Sequence, residues 1–231
     1  MMIGADKTTS IEVAVSRIKP GHTVMVGGFG VPGTPFMLIE ELVRQGQSGL
    51  TIIKNDSNMA GMGVDRLLEN GQVAKLIVSH IGLNPNAVRM MNEKTLEVEF
   101  CAQGILAERI RCAGAGLYGF LTDIGVGTEL AAGKATIEQD NQTLLVEQPL
   151  SADIALVHAD RADSFGNLTY AASARNFNPL MAMAADYTIA EAETIEDIGN
   201  LKPAEIHTPG PFVDKVVFLP KLSESYGVIE R

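Results

Sequence analysis

The sequence predicts an α/β fold: an open, mostly parallel sheet with helices on both faces, plus one short antiparallel hairpin. Two observations carry this. Short β-branched runs alternate with helix-period segments through the first half of the chain. The connecting segments are also long enough to act as crossovers, which makes consecutive strands parallel. The chain has 231 residues, 46% of them hydrophobic, enough for one sizeable buried core. It shows no linker, repeat or low-complexity tract, so residues 1–231 read as a single domain.

The elements follow in order. Strands are expected near 22–27, 50–54, 74–79 and 95–100, each bounded by turn residues. Helices are expected near 34–46, 63–70, 84–93 and 103–113. In the first helix Phe36, Ile39 and Val43 form an apolar stripe, with Glu40, Glu41, Arg44 and Gln45 on the outer face. Thr34 and Pro35 read as its N-cap and first residue, and Asn84-Pro85 does the same for the third helix. Residues 113–133 are glycine-rich and too irregular for a core element. Asp140-Asn141 joins two β-like runs as a hairpin turn. A strand near 153–159 follows, then the turn Phe165-Gly166-Asn167 and a helix capped by Asn178-Pro179. The runs 186–190 and 212–219 close the sheet.

Bulk charge narrows the function. Eighteen basic residues stand against 28 acidic ones, a net charge of −10. That balance disfavours nucleic acid and anionic membrane as partners, and no apolar run approaches a membrane span. Cys101 and Cys112 form neither a disulfide framework nor a metal-ligand spacing, which fits a reducing, cytoplasmic compartment.

The richest segment is Val24 to Leu42, VMVGGFGVPGTPFMLIEEL. Glycines at 27, 28, 30 and 33 lie between a buried strand and a helix, an arrangement that brings bare backbone N–H groups to a ligand. Gly28 to Gly33 also spells G-x-G-x-x-G, and Asp56 sits near the offset of a ribose-binding acid, so a nicotinamide site is one reading. Two details oppose it. The helix start falls after the third glycine, and Pro32 removes a donor from the middle of the cradle.

In an open parallel sheet, ligands bind beyond the carboxyl ends of the strands. Asn55 follows the second strand and Gln103 the fourth, with the glycine-rich stretch from Gly114 beyond. Either amide could simply cap the next helix. Sharing an edge with the glycine loop favours contact with a carbonyl or carboxylate. No G-x-S-x-G elbow or H-E-x-x-H pair is present. His22, His80, His158 and His207 are scattered, and His158 with Asp160 and Asp163 reads as ordinary loop hydrogen bonding, not a metal site. A well-made pocket without a visible nucleophile suggests that the reactive group comes from another polypeptide.

The segments VGGFGVPGTP, ERIRCAGAGLYGFLTDIGVGTEL, DSFGNLTYAASARNFNPLMAMAAD and HTPGPFVDKVV, in that order between about Gly21 and Val217, resemble the family I CoA-transferase α (A) subunit. Ser79 to Pro85 looks closest to the acetate/acetoacetate branch. The resemblance implies the family fold and a heteromeric α2β2 enzyme that moves CoA between an acyl-CoA and a short-chain carboxylic acid. A 3-oxoadipate or succinyl-CoA:3-oxoacid enzyme is the alternative. Coenzyme A is then a co-substrate, with no cofactor tightly bound and no metal. In the family, a β-subunit glutamate attacks the thioester, giving an anhydride and then a glutamyl-CoA. By position, Gly27, Gly28, Phe29, Gly30, Val31, Pro32 and Gly33 lie next to CoA. Asn55, Gln103, Gly114 and Gly116 fall at the substrate, and the loop from Gly114 to Thr128 walls the pocket against the partner. Lys54, Ala102 and Asp123-Ile124 depart from the usual pattern and bear on acyl preference. Glu69-Asn70-Gly71 resembles the family's nucleophile motif, which belongs to the other subunit; here it reads as a helix stop.

Overall fold

The computed structural model describes residues 6–220; residues 1–5 and 221–231, which the single-domain expectation includes, lie outside the described residues. The chain begins with a short helix, α1 (Ile11–Val15), then strand β1 (Thr23–Val26), helix α2 (Phe36–Gln45), β2 (Leu50–Ile53), α3 (Val64–Glu69), β3 (Val73–Val78), α4 (Pro85–Asn92), β4 (Glu97–Phe100) and α5 (Gln103–Gly114). Next come β5 (Phe120–Thr122), β6 (Thr136–Gln139) and β7 (Gln142–Glu147), which pair as a separate antiparallel sheet in the order β5-β7-β6. Asp140 and Asn141 both adopt positive φ, 52° and 60°, as a tight hairpin turn between β6 and β7 requires. The last part contains β8 (Ala152–Asp163), β9 (Leu168–Thr169), α6 (Asn178–Ala184), β10 (Ala185–Glu196) and β11 (Lys215–Phe218).

The main sheet runs β11-β10-β8-β1-β2-β3-β4, with every neighbouring pair parallel; β9 adds to β8 antiparallel. From β1 the chain steps outward to β4 and then returns to pair β8 on the other side of β1. That reversal makes the gap between β1 and β8 the topological switch point, where open sheets bind ligands. One apolar cluster joins α1 to α4 with one face, through Leu38, Ile39, Leu42, Leu67 and Ile52. The other joins α5 and α6 to the opposite face, through Ile105, Ile110, Met181 and Val157. Each fully buried Leu or Ile contributes about 1.5–3 kcal/mol of burial.

Three local expectations fail because another contact claims the side chain, one within a few residues for Thr34 and Glu41 and distant ones for Asn178. Thr34 does not cap α2: Pro35 holds that position, and the Thr34 hydroxyl turns back to donate to Gly30 O at 2.7 Å. Asn178 does not cap α6 but is its first residue, fully buried between β8 and the glycine loop. Glu41 does not face out; it is buried beneath Arg44 and Gln45, whose side chains donate to its carboxylate. Asn84 does cap α4, accepting from Ala87 N at 3.0 Å with Pro85 behind it. The 158–163 segment is continuous strand, not loop.

Candidate functional site

The carboxyl ends of β1, β2 and β3 meet around a pocket of about 140 Å³, walled by Phe29, Val31, Met59, Met62, Ile81 and Leu83. Gly30, Asp56, Ser57, Asn58 and His80 complete it. The loop after β1 is held in a fixed shape. Phe29 N donates to Pro32 O at 3.1 Å and Gly30 N to Asp56 Oδ2 at 2.7 Å. At Gly27, Gly28 and Gly33 the missing Cβ makes room for the chain itself. A methyl group would sit 1.8 Å from Asn178 Oδ1, 2.3 Å from Thr34 Oγ1 and 2.4 Å from Ala174 O respectively. Only Gly30, with φ +60°, faces open space. The expectation that all four glycines clear a path for a ligand therefore narrows to Gly30.

Asn55 and Gln103 are brought together: Gln103 Nε2 donates to Asn55 Oδ1 at 2.8 Å. Neither caps a helix. Gln103 is the first residue of α5, and the side chain that accepts from Val64 N at the start of α3 is Asn58. Asn55 is fully buried and donates to Asp56 Oδ2 at 3.1 Å, while Gln103 is exposed at the rim. Gly114 and Gly116 do not join this edge. The 12-residue helix α5, about 18 Å long, carries the chain away from it, and Gly114 packs on Met183, just before β10 begins.

Asp56 is the hub. Its Oδ1 accepts from Asn58 N at 2.8 Å, and Lys54 Nζ lies 3.7 Å from its Oδ2. Burial pushes this carboxyl up, but the Lys54 charge and the donors from Gly30, Asn58 and Asn55 outweigh it, so it titrates below its ordinary value. Lys54 is fully buried with no hydrogen-bond partner for Nζ, and burial pulls its ammonium down to about 8, against the pull of Asp56. With its oxygens turned to Gly30 and Asn58, Asp56 is not free to bind a ribose. The nicotinamide reading fails on that point and on the start of α2 at Phe36.

Sequence reasoning missed the wall formed by His80 and Ile81 and by Met59 and Met62, and the Ser79 hydroxyl behind it. Ser79 Oγ lies 2.9 Å from His80 Nδ1, a spacing seen in nucleophile–base pairs. The same hydroxyl sits 2.7 Å from Asn55 O and 3.0 Å from Asn55 Oδ1, which makes it a strut of the Asn55–Gln103 group. The tendency of sheet pockets to recruit residues just past strand ends was the available signal. Among the described residues no group of three or more His, Cys, Asp or Glu is placed to hold a metal, and no helix is long and apolar enough to cross a membrane.

Fold and site define an open-sheet α/β protein with an apolar-walled pocket at the carboxyl ends of its strands, beside β1. The family model described as coenzyme A transferase matches residues 8–218, and the chain belongs to that family. It is 47% identical over 211 residues to the alpha subunit of the acetate CoA-transferase of Escherichia coli K12, covering 91% of this chain and 96% of that one. It is 43% identical over 202 residues to the acetoacetyl-CoA:acetate/butyrate CoA transferase alpha subunit of Clostridium acetobutylicum, covering 87% and 93%. Among solved structures, an acyl-CoA transferase of E. coli O157:H7 in a thioester complex with CoA superposes with a TM-score of 0.84 at 22% identity. That match takes in 96% of this chain but 51% of the longer one, and shows the shared fold.

Proposed function

We propose that this chain is the α-type half of a heteromeric CoA-transferase, exchanging CoA between an acyl-CoA and a short-chain carboxylate of the acetate, acetoacetate or butyrate type. The observation that carries this is identity of 43–47% to α subunits of such enzymes over nearly their whole length. The site is consistent with the role: its walls are apolar, Gly30 opens onto free space, and the Asn55–Gln103 amide pair lies at the same sheet edge. Gly27 to Gly33 is the segment that meets CoA, with Gly30 its open point. Asn55 and Gln103 stand beside the acyl group. The attacking carboxylate belongs to a β-type partner. It displaces the CoA thiolate to give a mixed anhydride; the thiolate then attacks the partner's carbonyl and releases the first acid. The second acid reverses both steps. Water must be excluded throughout, since either intermediate would hydrolyse. Coenzyme A comes and goes as co-substrate, and no cofactor stays bound. The setting is cytoplasmic.

The 3-oxoadipate reading keeps some support, since the chain is 44% identical over 210 residues to one chain of the 3-oxoadipate CoA-transferase of Pseudomonas putida. The apolar pocket wall and the Ser79–Pro85 segment favour the shorter monocarboxylates. Co-expression with a β-type subunit, followed by borohydride trapping of the enzyme–CoA thioester and mass spectrometry, tests the assignment. The modified glutamate is expected on the partner; full-speed exchange by this chain alone, with its own carboxylate labelled, rules the proposal out.

A further inference from the structure

Behind the glycine loop lies a buried charged group that takes no part in the pocket. Glu191 on β10 is fully buried, and its Oε1 lies 2.9 Å from His158 Nδ1 on β8. The other ring nitrogen of His158 is 3.2 Å from Glu193 Oε1. Glu191 Oε2 reaches across to α2, where it accepts from Leu38 N at 2.9 Å. The first N–H groups of a helix have no partner within it, and α2 has no side-chain cap of its own. A carboxylate there satisfies one donor and also suits the positive end of the helix dipole.

The same cluster reaches the loop by a second route. His158 N donates to Asn178 Oδ1 at 3.2 Å. Asn178 Nδ2 in turn donates to Gly33 O at 3.0 Å and Ala174 O at 2.8 Å, and its side chain presses directly on Gly27. Both ends of the glycine loop and the helix that follows are thus tied to adjacent residues of two neighbouring strands. Burial works against the charge on His158, but the two carboxylates hold its titration up at about 9, so the ring is an imidazolium donating to both. A buried ion pair is seldom the cheapest way to stabilise a core. What it gives here is a fixed position for the first turn of α2, the helix that follows the loop.

We propose that Glu191 and His158 are positioning residues that set the glycine loop against its ligand, acting through Leu38 N and Asn178. The proposal rests on the reading of Gly27 to Gly33 as the segment that meets CoA. The test uses the chain assembled with its β-type partner, measuring kcat, KM for acyl-CoA and backbone hydrogen exchange over residues 27–38. Glu191→Ala is expected to preserve assembly, speed exchange at Leu38 and lower kcat/KM by roughly 100-fold, the scale of a small misplacement of a binding group. Glu191→Gln, whose amide oxygen still accepts from Leu38 N, should recover most of that loss. A role confined to stability lowers the melting temperature while kcat/KM per assembled enzyme stays within about twofold of wild type, and that result overturns the proposal. If Glu191→Ala does not assemble, His158→Gln decides. Faster exchange at Leu38 with a raised KM supports the brace; unchanged exchange and kinetics overturn it. Gly30→Val separately probes the underlying reading. If a bulky side chain at that open point leaves KM for acyl-CoA unchanged, the loop does not meet CoA, and that reading fails whatever the brace variants show.

Discussion

Asp56 draws Gly30 N, Asn58 N, Asn55 Nδ2 and the Lys54 ammonium onto one carboxylate. Asp56→Asn leaves Lys54 buried without a counter-charge and turns at least one acceptor into a donor. The expected loss is about 3 kcal/mol in urea unfolding at neutral pH, and a loss under about 1 kcal/mol would show that the hub carries little. The signs of its pH dependence follow from the shifts. Asp56 is depressed, so its contribution is present above the unfolded carboxylate value and fades as pH falls through the lower folded one. His158 is raised to about 9, so its contribution is complete below the ordinary imidazole range and is lost as pH rises through about 9. Melting curves should therefore show a decline from about pH 6.5 to 8 that His158→Gln flattens; above about 8 the depressed Lys54 works in the opposite direction. Glu69 is a different case, an exposed carboxylate ending α3, 3.4 Å from Asn86 Nδ2 and bonded there rather than facing the pocket. Glu69→Gln, assembled with the β-type subunit, is expected to keep most transferase activity; near-complete loss with intact assembly would make it the nucleophile.

At the scale of elements, the glycine loop separates two roles that look alike in sequence. Gly27→Ala drives a methyl group to 1.8 Å from Asn178 Oδ1 on a fully buried residue, so the loop or α6 must shift. Gly30→Ala meets nothing and incurs only the left-handed backbone cost of about 1–2 kcal/mol. Thermal melts should rank Gly27→Ala well below Gly30→Ala, while acyl-CoA affinity should suffer more per unit of lost stability at Gly30. Asn84→Ala removes the α4 cap and the bond from Asn84 Nδ2 to Ser57 O, an expected loss of about 1–2 kcal/mol. These cases also show what was legible. The strands β1 to β3 stood out because parallel strands buried on both faces need short apolar, β-branched runs; β4 is an exposed edge strand. The hairpin at Asp140-Asn141 declared itself through its turn chemistry. Short elements such as α1 and β9 did not, since five or two residues are held by packing rather than by their own pattern. Thr34 and Asn178 carry the local signature of caps; Thr34 instead turns back to Gly30 within its own loop, and nothing near Asn178 in sequence reveals the distant partners that claim it. That Asn55 and Gln103 share one sheet edge was legible because both follow strand ends; the hydrogen bond between them was not, because it spans 48 positions.

Across the whole molecule, exposed apolar side chains gather on one feature. Leu117, Tyr118, Leu121, Ile124, Val126 and Ile137 all lie on the β5–β7 lobe or the loops leading into it, and Tyr118 is 95% exposed. Soluble monomers seldom leave so many large apolar groups in one region unless another surface covers them. The lobe is anchored to the sheet edge by polar contacts of Arg109 on α5, which reaches Glu99 on β4 as well as Gln148 O and Glu147 at the end of β7; Lys134–Glu147 ties the lobe within itself. Those contacts fix its orientation without burying its outer side. If the chain works as the α half of a heteromer, this lobe is the face that the β-type subunit covers, and its cost alone in solution is self-association. Tyr118→Ser with Ile124→Ser removes two exposed anchors and touches neither apolar cluster of the main sheet. The pair is expected to leave the isolated chain's melting temperature within a degree or two, since surface changes away from special features usually cost less than about 0.5 kcal/mol. It should weaken co-assembly with the β-type subunit by at least about tenfold, because central aromatic anchors carry most of an interface's energy. Light scattering and co-purification measure the two effects independently. Unimpaired assembly by a well-folded double variant would move the partner to another face and leave the lobe's apolar surface without that explanation.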